Sequence, residues 1–401
     1  MSNLSDLIQQ VNPSSTIQMF TKAKEMEKSG IDVINLSVGE LDLDTPKHIC
    51  DAAKEALDKQ MTKYTLVDGT HDLKIAICNK FRTENNLDFD PSDIIVSCGA
   101  KQSIFNAIGS ITNPNDEIII PVPSWVSYID IVKLFRGKPV LINTKDSNFI
   151  LTADQLEQNI TSKTKAIMLN SPCNPTGAVY SEKNFIAIAE ILSKNPQMYI
   201  ISDDIYEHVI FDGQKFFNIL NVAPDLSNRV ITINGVSKSY SMTGFRIGYC
   251  ASKNKEILKL MRIIQSQSTS SPCSISQYAA KIALESRESI EFVKTMQKEI
   301  QNRRNVIYDQ LKNIYQIDTF RPSGAFYFFC SIEKLIGKKY KEKTISSDVD
   351  FCNILLENFH VCLVSGSAFG LENHFRLSFA IDIKKLQKGV EEIKNFIDQL
   401  N

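Results

Sequence analysis

The sequence predicts an α/β protein: a large domain with a mostly parallel sheet covered by helices, plus a smaller α+β domain. From about residue 46, short apolar runs alternate with helical patterns, and the runs are nearly continuous in apolar residues. Such runs are typical of parallel strands buried on both faces, because the connecting helices cover both faces of the sheet. The last third of the chain instead groups its strand-like runs together, which favours an α+β domain.

The large domain begins with a helical pattern at residues 44–59. Asp44 is the predicted N-cap, Pro46 lies in the first turn, and apolar residues recur on one face. The strand-like runs that follow are residues 93–98, 117–122, 139–143, 165–170, 197–202 and 229–234. Helical patterns, such as the one at residues 181–194, separate several of them. This alternation predicts strands that helices connect across the faces of one sheet.

The small domain is predicted from the two ends of the chain. Its C-terminal strand-like runs are residues 325–330, 361–365 and 375–380. A helical pattern at residues 383–400 closes the chain, and residues 32–37 read as a strand outside the main alternation. We therefore predict that residues 46–289 form the large domain, and that residues 1–45 and 290–401 form a small domain that closes over the active site.

Composition and charge exclude several classes of protein. The chain has 401 residues, 43% of them hydrophobic, and its net charge of −1 arises from interspersed acids and bases. We predict no partner nucleic acid, no membrane attachment and no signal peptide. The nine cysteines are dispersed without a CxxC pair, and the five histidines lack ligand spacing. We therefore predict reduced thiols, a cytoplasmic location and no metal site.

Groups suited to catalysis follow four of the predicted strands. Residues 99–102, with the sequence GAKQ, form a glycine turn that opens a helix, and Asn174 lies in a turn rich in proline. Asp203 follows the next strand, and Lys238 with Arg246 follows the last. Ligands of open α/β sheets bind outside the carboxyl ends of the strands. Each group alone has an ordinary structural explanation, but their combination at one sheet edge predicts a site.

The chemistry of these groups meets the demands of pyridoxal phosphate. A lysine that acts as a nucleophile must be partly desolvated or lie near another cation, and Lys238 is flanked by small residues with Arg246 close behind. An arginine beside a helix N-terminus makes a strong phosphate site. A buried carboxylate near a pyridine nitrogen keeps that nitrogen protonated, so an acid at position 203 or 204 completes the set.

The stretch GVSKSYSMTGFRIG at residues 235–248 resembles the lysine-attachment signature of class I and II aminotransferases, which are pyridoxal-phosphate enzymes of fold type I. Further blocks match the family in order: SVGELDLDTP, KYTLVDGTHDLK, GAKQSIFNAI, PVPSWVSY, SPCNPTGAVY, SDDIYEH, RPSGAFYFF and SGSAFG with HFRLSFA. The resemblance covers residues 12–398. Within the family, the chain is most similar to the bacterial-type aspartate aminotransferases.

The resemblance implies a role for each catalytic residue. Lys238 forms the covalent imine with the cofactor and then carries a proton during the reaction. Asp203, rather than Asp204, pairs with the ring nitrogen, while Tyr206 and Asn174 hydrogen-bond the phenolic oxygen. The other residues assigned to the cofactor are Ala100, Lys101, Trp125, Ser237, Arg246 and Tyr64. The residues assigned to the substrate are Gly39, Trp125, Asn174 and Arg376.

Several of these roles are specific to one part of the cofactor or substrate. Backbone N–H groups of Ala100 and Lys101 hold the phosphate with Arg246, and Trp125 stacks on the ring. Tyr64 is expected to reach the phosphate in the other subunit, which implies a homodimer with shared active sites. Arg376 is expected to bind the α-carboxylate that every amino acid and 2-oxo acid carries.

Three departures from the family pattern bear on function. Leu41 stands where a proline is usual beside the substrate carboxylate. Gly235 stands where many relatives have a phosphate-binding serine, and Ser237 is the candidate substitute. Residues 265–277 contain no arginine, so the sequence offers no dedicated group for a side-chain carboxylate. The identity of the amino acid side chain is therefore the open question.

The favoured function is amino-group exchange between an L-amino acid, with aspartate preferred, and a 2-oxo acid, with 2-oxoglutarate preferred. One alternative is an aminotransferase for aromatic or other neutral amino acids. Another is a β-lyase or an oxidase on the same fold. A further alternative is a regulatory domain that senses pyridoxal phosphate, but this needs a DNA-binding domain, and only about 30 residues precede the strand at 32–37.

Overall fold

The strands fall into a large central sheet and smaller sheets near the C-terminus. The structure, a computed structural model, describes residues 4–9, 11 and 15–401, without the side chains of residues 15 and 16. The strands are β1 Ile34–Asn35, β2 Ile94–Ser97, β3 Glu117–Val122, β4 Lys138–Asn143, β5 Thr164–Asn170, β6 Tyr199–Asp203, β7 Val230–Gly235, β8 Gly248–Ala251, β9 Asp318–Thr319, β10 Tyr327–Ser331, β11 Lys339–Tyr340, β12 Lys343–Thr344, β13 Val361–Cys362, β14 Val364–Ser365 and β15 His374–Ser378.

Helices connect the strands and cover the sheets. They are α1 Asp6–Gln9, α2 Ser15–Lys28, α3 Lys47–Asp58, α4 His71–Asn85, α5 Ala100–Ile111, α6 Ser127–Leu134, α7 Ala153–Asn159, α8 Glu182–Lys194, α9 Ile219–Val222, α10 Lys255–Ser268, α11 Ser274–Glu285, α12 Arg287–Leu311, α13 Asp348–Phe359 and α14 Ile383–Asp398. None of the helices in the described residues combines the length and apolar character needed to cross a membrane.

The central sheet is mostly parallel and buried on both faces, as predicted. Its strand order is β2-β8-β7-β6-β5-β3-β4, and β8 alone runs antiparallel to its neighbours. Successive residues of a strand point to opposite faces. Ile167 on β5 therefore packs with α4, α8 and α11, whereas Met168 packs with α5 and α10. This topology brings the carboxyl ends of β2, β5, β6 and β7 to one edge of the sheet.

One local prediction is wrong, and one strand of the central sheet was not predicted. Asp44 does not cap the first helix, because Pro46 is the N-cap of α3 with extended backbone angles of φ −51° and ψ 141°. A proline disfavours helical angles in the residue before it, so Thr45 is not helical and the helix cannot begin at Asp44 or Thr45. Strand β8 was not predicted, because its four residues GYCA are too short to stand out from the motif that precedes them.

Four of the remaining strands form a smaller antiparallel sheet with order β14-β15-β10-β9, and β11 pairs with β12 in a separate two-stranded sheet. The N-terminal strand β1 pairs in parallel with β13, so residues 32–37 do pack with the C-terminal region as expected. Helix α12 begins at Arg287, next to the domain boundary proposed after residue 289. The division into residues 46–289 and residues 1–45 with 290–401 stays a prediction.

Candidate active site

The strand ends at the carboxyl edge of the central sheet enclose a pocket of about 330 Å³. The predicted site residues that line it are Gly39, Ala100, Lys101, Trp125, Asn174, Asp203, Tyr206, Ser237, Lys238, Arg246 and Arg376. Tyr64 lies elsewhere, with 93% of its surface exposed. The groups that the sequence placed at separate strand ends therefore meet in one cavity, while their individual roles stay predictions.

Lys238 projects into this pocket from the turn after β7. Its Nζ donates a hydrogen bond to the carbonyl oxygen of Gly39 at 2.5 Å. Burial lowers the pKa of Lys238 to about 8, and the nearby carboxylate of Glu40 opposes this effect only in part. A lysine with such a pKa is partly neutral near pH 8, so its amine can act as a nucleophile or as a base.

Asp203 and Asp204 point in opposite directions at the end of β6. Oδ2 of Asp203, in the pocket, accepts a hydrogen bond from the Tyr128 hydroxyl at 2.5 Å, and Oδ1 accepts one from the Ile205 N–H at 3.3 Å. Burial raises the pKa of Asp203 to about 6, even though the Tyr128 bond lowers it. Asp204 does not line the pocket and instead accepts a hydrogen bond from Asn218 at 2.5 Å. Only Asp203 can therefore contact a ligand in this pocket.

Arg376 reaches the pocket from β15 and retains an unused donor. Its Nη1 donates to Oδ1 of Asn174 at 3.0 Å, and its Nη2 donates to the Ser37 carbonyl. The guanidinium lies over the ring of Tyr327, 4.4 Å from the ring centre. Within the described part of the chain, Nε of Arg376 has no hydrogen-bond partner. A guanidinium carries five N–H groups, so the N–H groups of Nη1 and Nη2 that these hydrogen bonds leave unused are suited to bind a carboxylate.

Tyr206 and Tyr327 form a hydrogen-bonded pair on the pocket wall, with hydroxyl oxygens 2.7 Å apart. A Cβ on Gly39 would collide with the Tyr327 hydroxyl, so the position of Tyr327 requires a glycine there. Sequence reasoning missed Tyr327, because the apolar run AFYFF gives no signal that separates this tyrosine from its core neighbours.

The turn between β2 and α5 forms a cradle for an anion. Gly99 precedes α5 with a φ of 83°, and a Cβ there would collide with the guanidinium of Arg246. A Cβ on Gly248 would collide with the backbone nitrogen of Ala100. The first N–H groups of a helix have no acceptor within the helix, so those of Ala100 and Lys101 can bind a ligand beside Arg246. These donors together suit a phosphate group.

The side chain of Lys101 adds a cation to the pocket that sequence reasoning missed. Its Nζ lies 4.9 Å from the ring centre of Trp125, on the pocket wall. Burial lowers the pKa of Lys101, and the charge of Arg246 adds to this effect. Residues 265–277 contain no arginine that could bind a side-chain carboxylate, whereas Lys101 supplies a cation from the start of α5. The direction of a side chain at a helix start depends on how the helix packs.

Two departures from the family motif have a structural explanation. A Cβ on Gly235 would lie 3.0 Å from Cα of Gly248 and from the carbonyl oxygen of Ile247, which leaves no room for a serine without movement. Ser237 lines the pocket and offers a hydroxyl nearby. Leu41 is buried in the main core and does not line the pocket. The expectation that Leu41 lies beside the substrate carboxylate stays a prediction.

Three potential metal ligands meet outside the pocket. Ligand-type atoms of Glu84, Glu207 and His208 lie within 4.8 Å of one another. The ammonium of Lys80 already contacts Glu207 and lies 3.6 Å from Glu84. The ammonium of Lys80 therefore already compensates one of the two carboxylate charges.

Comparison with known proteins places this pocket in context. Residues 31–393 match the family model described as aminotransferase class I and II. A probable aspartate/prephenate aminotransferase of Rickettsia bellii is 46% identical over 390 residues, which is 97% of each chain. The crystal structure of the aspartate aminotransferase from Rhizobium meliloti superposes with a TM-score of 0.95 at 42% identity and covers 100% of both chains. The aspartate aminotransferase of Thermus thermophilus with maleate has a TM-score of 0.92 at 36% identity and covers 99% of this chain and 100% of that one.

Proposed function

The chain belongs to the class I and II aminotransferase family and is an aminotransferase; we propose that it uses pyridoxal 5′-phosphate to exchange the amino group between L-aspartate and 2-oxoglutarate. The observation that carries this proposal is the set of cations around Lys238. Arg376 and Lys101 line the same pocket, so one cation is available for each carboxylate of a dicarboxylic substrate. A homodimer and a cytoplasmic location are part of the proposal.

The pocket fits pyridoxal phosphate by its donor set and its shape. The cradle at Gly99 leaves room for a phosphate beside Arg246, because glycine has no Cβ. A Cβ at this position would collide with the Arg246 guanidinium. Asp203 offers a buried carboxylate for a protonated ring nitrogen, and Trp125 offers a flat wall. Lys238 offers an amine with a pKa of about 8 for covalent attachment. When bound, the cofactor withdraws electrons from the α-carbon of the substrate and so makes its proton acidic.

The protein then has three tasks. Arg376 holds the α-carboxylate through its planar guanidinium, which lines the pocket. Lys238 moves a proton to and from the substrate carbon, because its amine can be neutral near neutral pH. Tyr206, fixed by its hydrogen bond to Tyr327, offers a donor to the cofactor oxygen. Together these groups orient the substrate before the proton moves.

The preference for aspartate rests on Lys101. Lys101 has an exposed side chain that lines the pocket, and a neutral amino acid would offer its ammonium no acceptor. A carboxylate at the end of a substrate side chain would satisfy it. This supports a dicarboxylic substrate over the aromatic or neutral amino acids that are the alternative within the family.

Prephenate is a second candidate acceptor. The relative from Rickettsia bellii is named a probable aspartate/prephenate aminotransferase. Prephenate is a 2-oxo acid with a second carboxylate and a ring, so it presents the same two charges with more apolar surface. Ile17 and Ile104 add apolar surface to the walls of the pocket, which would suit such a ring.

A half-reaction screen tests the proposal. Single amino acids are added to the enzyme loaded with pyridoxal phosphate, and the visible absorbance of the bound cofactor is followed. Aspartate should change the absorbance fastest, and 2-oxoglutarate or prephenate should restore it. Release of ammonia would identify a β-lyase, and uptake of oxygen would identify an oxidase; either result, without stoichiometric amino-group exchange, would overturn the proposal.

A further inference from the structure

A buried network of polar side chains lies directly behind the pocket and is not part of it. Glu207 follows Tyr206 in the chain but points away from the cavity, and 3% of its side chain is exposed. Its carboxylate accepts hydrogen bonds from Asn85 at 2.6 Å, from Asn234 at 2.7 Å and from the ammonium of Lys80. Lys80 also donates to Asn85 at 2.7 Å. We call these four residues the Glu207 network.

The ion pair in this network has an electrostatic cost that its hydrogen bonds offset. Burial alone would raise the pKa of Glu207, but Lys80, His208 and the amide of Asn85 lower it to about 2. The carboxylate is therefore charged throughout the physiological range. A buried ion pair often stabilises a protein no more than two apolar residues would, so its presence is better explained by the geometry that it imposes.

The Glu207 network and the adjacent His208 hold the two ends of the turn that carries Lys238. On one side, Oδ1 of Asn234 accepts the Gly235 N–H at 2.7 Å while its amide donates to Glu207. On the other side, Ser239, the residue after Lys238, is hydrogen-bonded to Nδ1 of His208 at 2.7 Å. The turn at residues 235–239 is therefore tied at both ends to Glu207 and His208.

The same two residues follow Tyr206 in the chain, so they connect two groups that face the pocket. Lys80 and Asn85 lie on α4, which packs against the core and gives the network a fixed support. On the basis of the proposed function, we infer that Glu207 is a positioning residue that sets Tyr206 and Lys238 at a fixed separation. It touches neither substrate nor cofactor.

The test replaces the carboxylate while keeping its shape. Glu207→Gln should lower kcat by at least about tenfold with little change in KM, because small displacements of reacting groups cost about 10²-fold in rate. The pH midpoint of the absorption band of bound pyridoxal phosphate should rise by about 0.5 unit or more. A displaced Tyr206 hydroxyl would stabilise the negatively charged phenolic oxygen of the cofactor less. Asp93→Asn is the matched control.

Asp93 is a buried carboxylate of the same kind. Its side chain is 1% exposed and it pairs with Lys253 at 2.8 Å and Lys255 at 2.5 Å, at the start of β2 and thus at the opposite edge of the sheet from the pocket. Asp93→Asn should lower the melting temperature but leave kcat and the absorption midpoint unchanged. If Glu207→Gln behaves like Asp93→Asn, its role is structural only and the inference is wrong.

Two further variants cover the case in which Glu207→Gln does not fold. Ser239→Ala removes one hydroxyl from the His208 side of the turn. Like Glu207→Gln, it should raise the absorption midpoint and lower kcat. Asn85→Ala, which removes the 2.6 Å hydrogen bond to the Glu207 carboxylate, should do the same. Unchanged values in both variants would then overturn the inference. If the wild-type enzyme shows no transamination, the proposed function is wrong. This outcome is distinguishable from a failure of the inference about Glu207, which concerns the variants alone.

Discussion

The Tyr128 hydroxyl donates a hydrogen bond to Oδ2 of Asp203 at 2.5 Å, and both residues are buried at the base of the pocket. Tyr128 comes from the first turn of α6, and its ring packs edge-on against Trp125 with ring centres 5.3 Å apart. The bond holds the carboxylate of Asp203 in one orientation. It also stabilises the charged form of that carboxylate, against the effect of burial.

Tyr128→Phe should therefore impair catalysis without changing the shape of the pocket. A hydrogen bond to a charged group is worth about 1.5–3 kcal/mol, so its loss should raise the pKa of Asp203 further and lower kcat by about tenfold or more. The acidic limb of the pH profile of kcat should move to higher pH. Tyr180→Phe is the control, because this buried tyrosine accepts a hydrogen bond from Leu151 outside the pocket. An unchanged profile in Tyr128→Phe would show that the bond does not matter.

Asp203→Asn should separate stability from activity. The pKa of Asp203 is about 6, above its ordinary value of 3.8. A carboxyl with a raised pKa stabilises the folded chain only while it is protonated, so its contribution is lost as the pH rises from about 4 through 6. Near pH 7, cofactor-free Asp203→Asn should therefore be more stable than wild type by roughly 2–3 kcal/mol, measured by urea unfolding. Its kcat should fall by about 10²-fold or more.

Asp204→Asn is the matched comparison for that experiment. Burial also raises the pKa of Asp204, well above its ordinary value. This variant should therefore keep or gain stability near neutral pH, but it should retain most of its kcat because Asp204 does not line the pocket. Equal losses of kcat in the two variants would remove the reason for choosing Asp203.

Sequence reasoning located the pocket because topology decides which strand ends share an edge. Asp203 and Lys238 follow parallel neighbours β6 and β7, so their proximity follows from the sheet itself. Tyr128 could not be found in this way, since its direction depends on how α6 packs against the sheet. The side chain of Lys101 was missed for the same reason. Nothing in the sequence indicated that Glu207 is part of a network, because its partners are distant in sequence. Lys80, for example, is 127 residues away.

Tyr64 provides a test of the homodimer. Its side chain is 93% exposed in the single chain, as expected of a residue that completes the site of a second subunit. Two inactive parents, Lys238→Ala and Tyr64→Ala, should recover up to about one quarter of wild-type activity when their subunits exchange, because half the dimers then hold one unmutated site. Lys238→Ala mixed with Asp203→Asn is the control and should recover nothing. Verified exchange without recovery would exclude a shared site.

Lys101→Met should change substrate preference rather than cofactor binding. The substitution keeps the backbone N–H at the phosphate cradle and removes the ammonium near Trp125. Loss of a charge-assisted hydrogen bond should lower kcat/KM for aspartate and 2-oxoglutarate by about 10- to 100-fold, with little effect on alanine. Lys259→Met, at an exposed position on α10, controls for the change in net charge. An equal loss of kcat/KM for all amino donors would mean that Lys101 does not recognise the side chain of the substrate.

Arg376→Lys is the test of α-carboxylate binding. An exposed strand arginine could be replaced at a cost of less than about 0.5 kcal/mol. Arg376 is instead buried, stacks on Tyr327 and keeps an unused Nε–H group. Lysine keeps the charge but loses the planar pair of donors that matches a carboxylate.

Because every amino acid and 2-oxo acid carries the α-carboxylate, Arg376→Lys should weaken all substrates together. Removing one partner of a buried charge pair costs roughly 2–5 kcal/mol, so kcat/KM should fall by at least about tenfold for donors and acceptors alike. The affinity for pyridoxal phosphate should stay close to wild type, since the phosphate cradle at Gly99 does not include Arg376. Steady-state kinetics with aspartate, alanine and 2-oxoglutarate make the comparison. A loss confined to dicarboxylic substrates would assign Arg376 to the side chain, and the α-carboxylate would then have to be bound by another donor in the pocket.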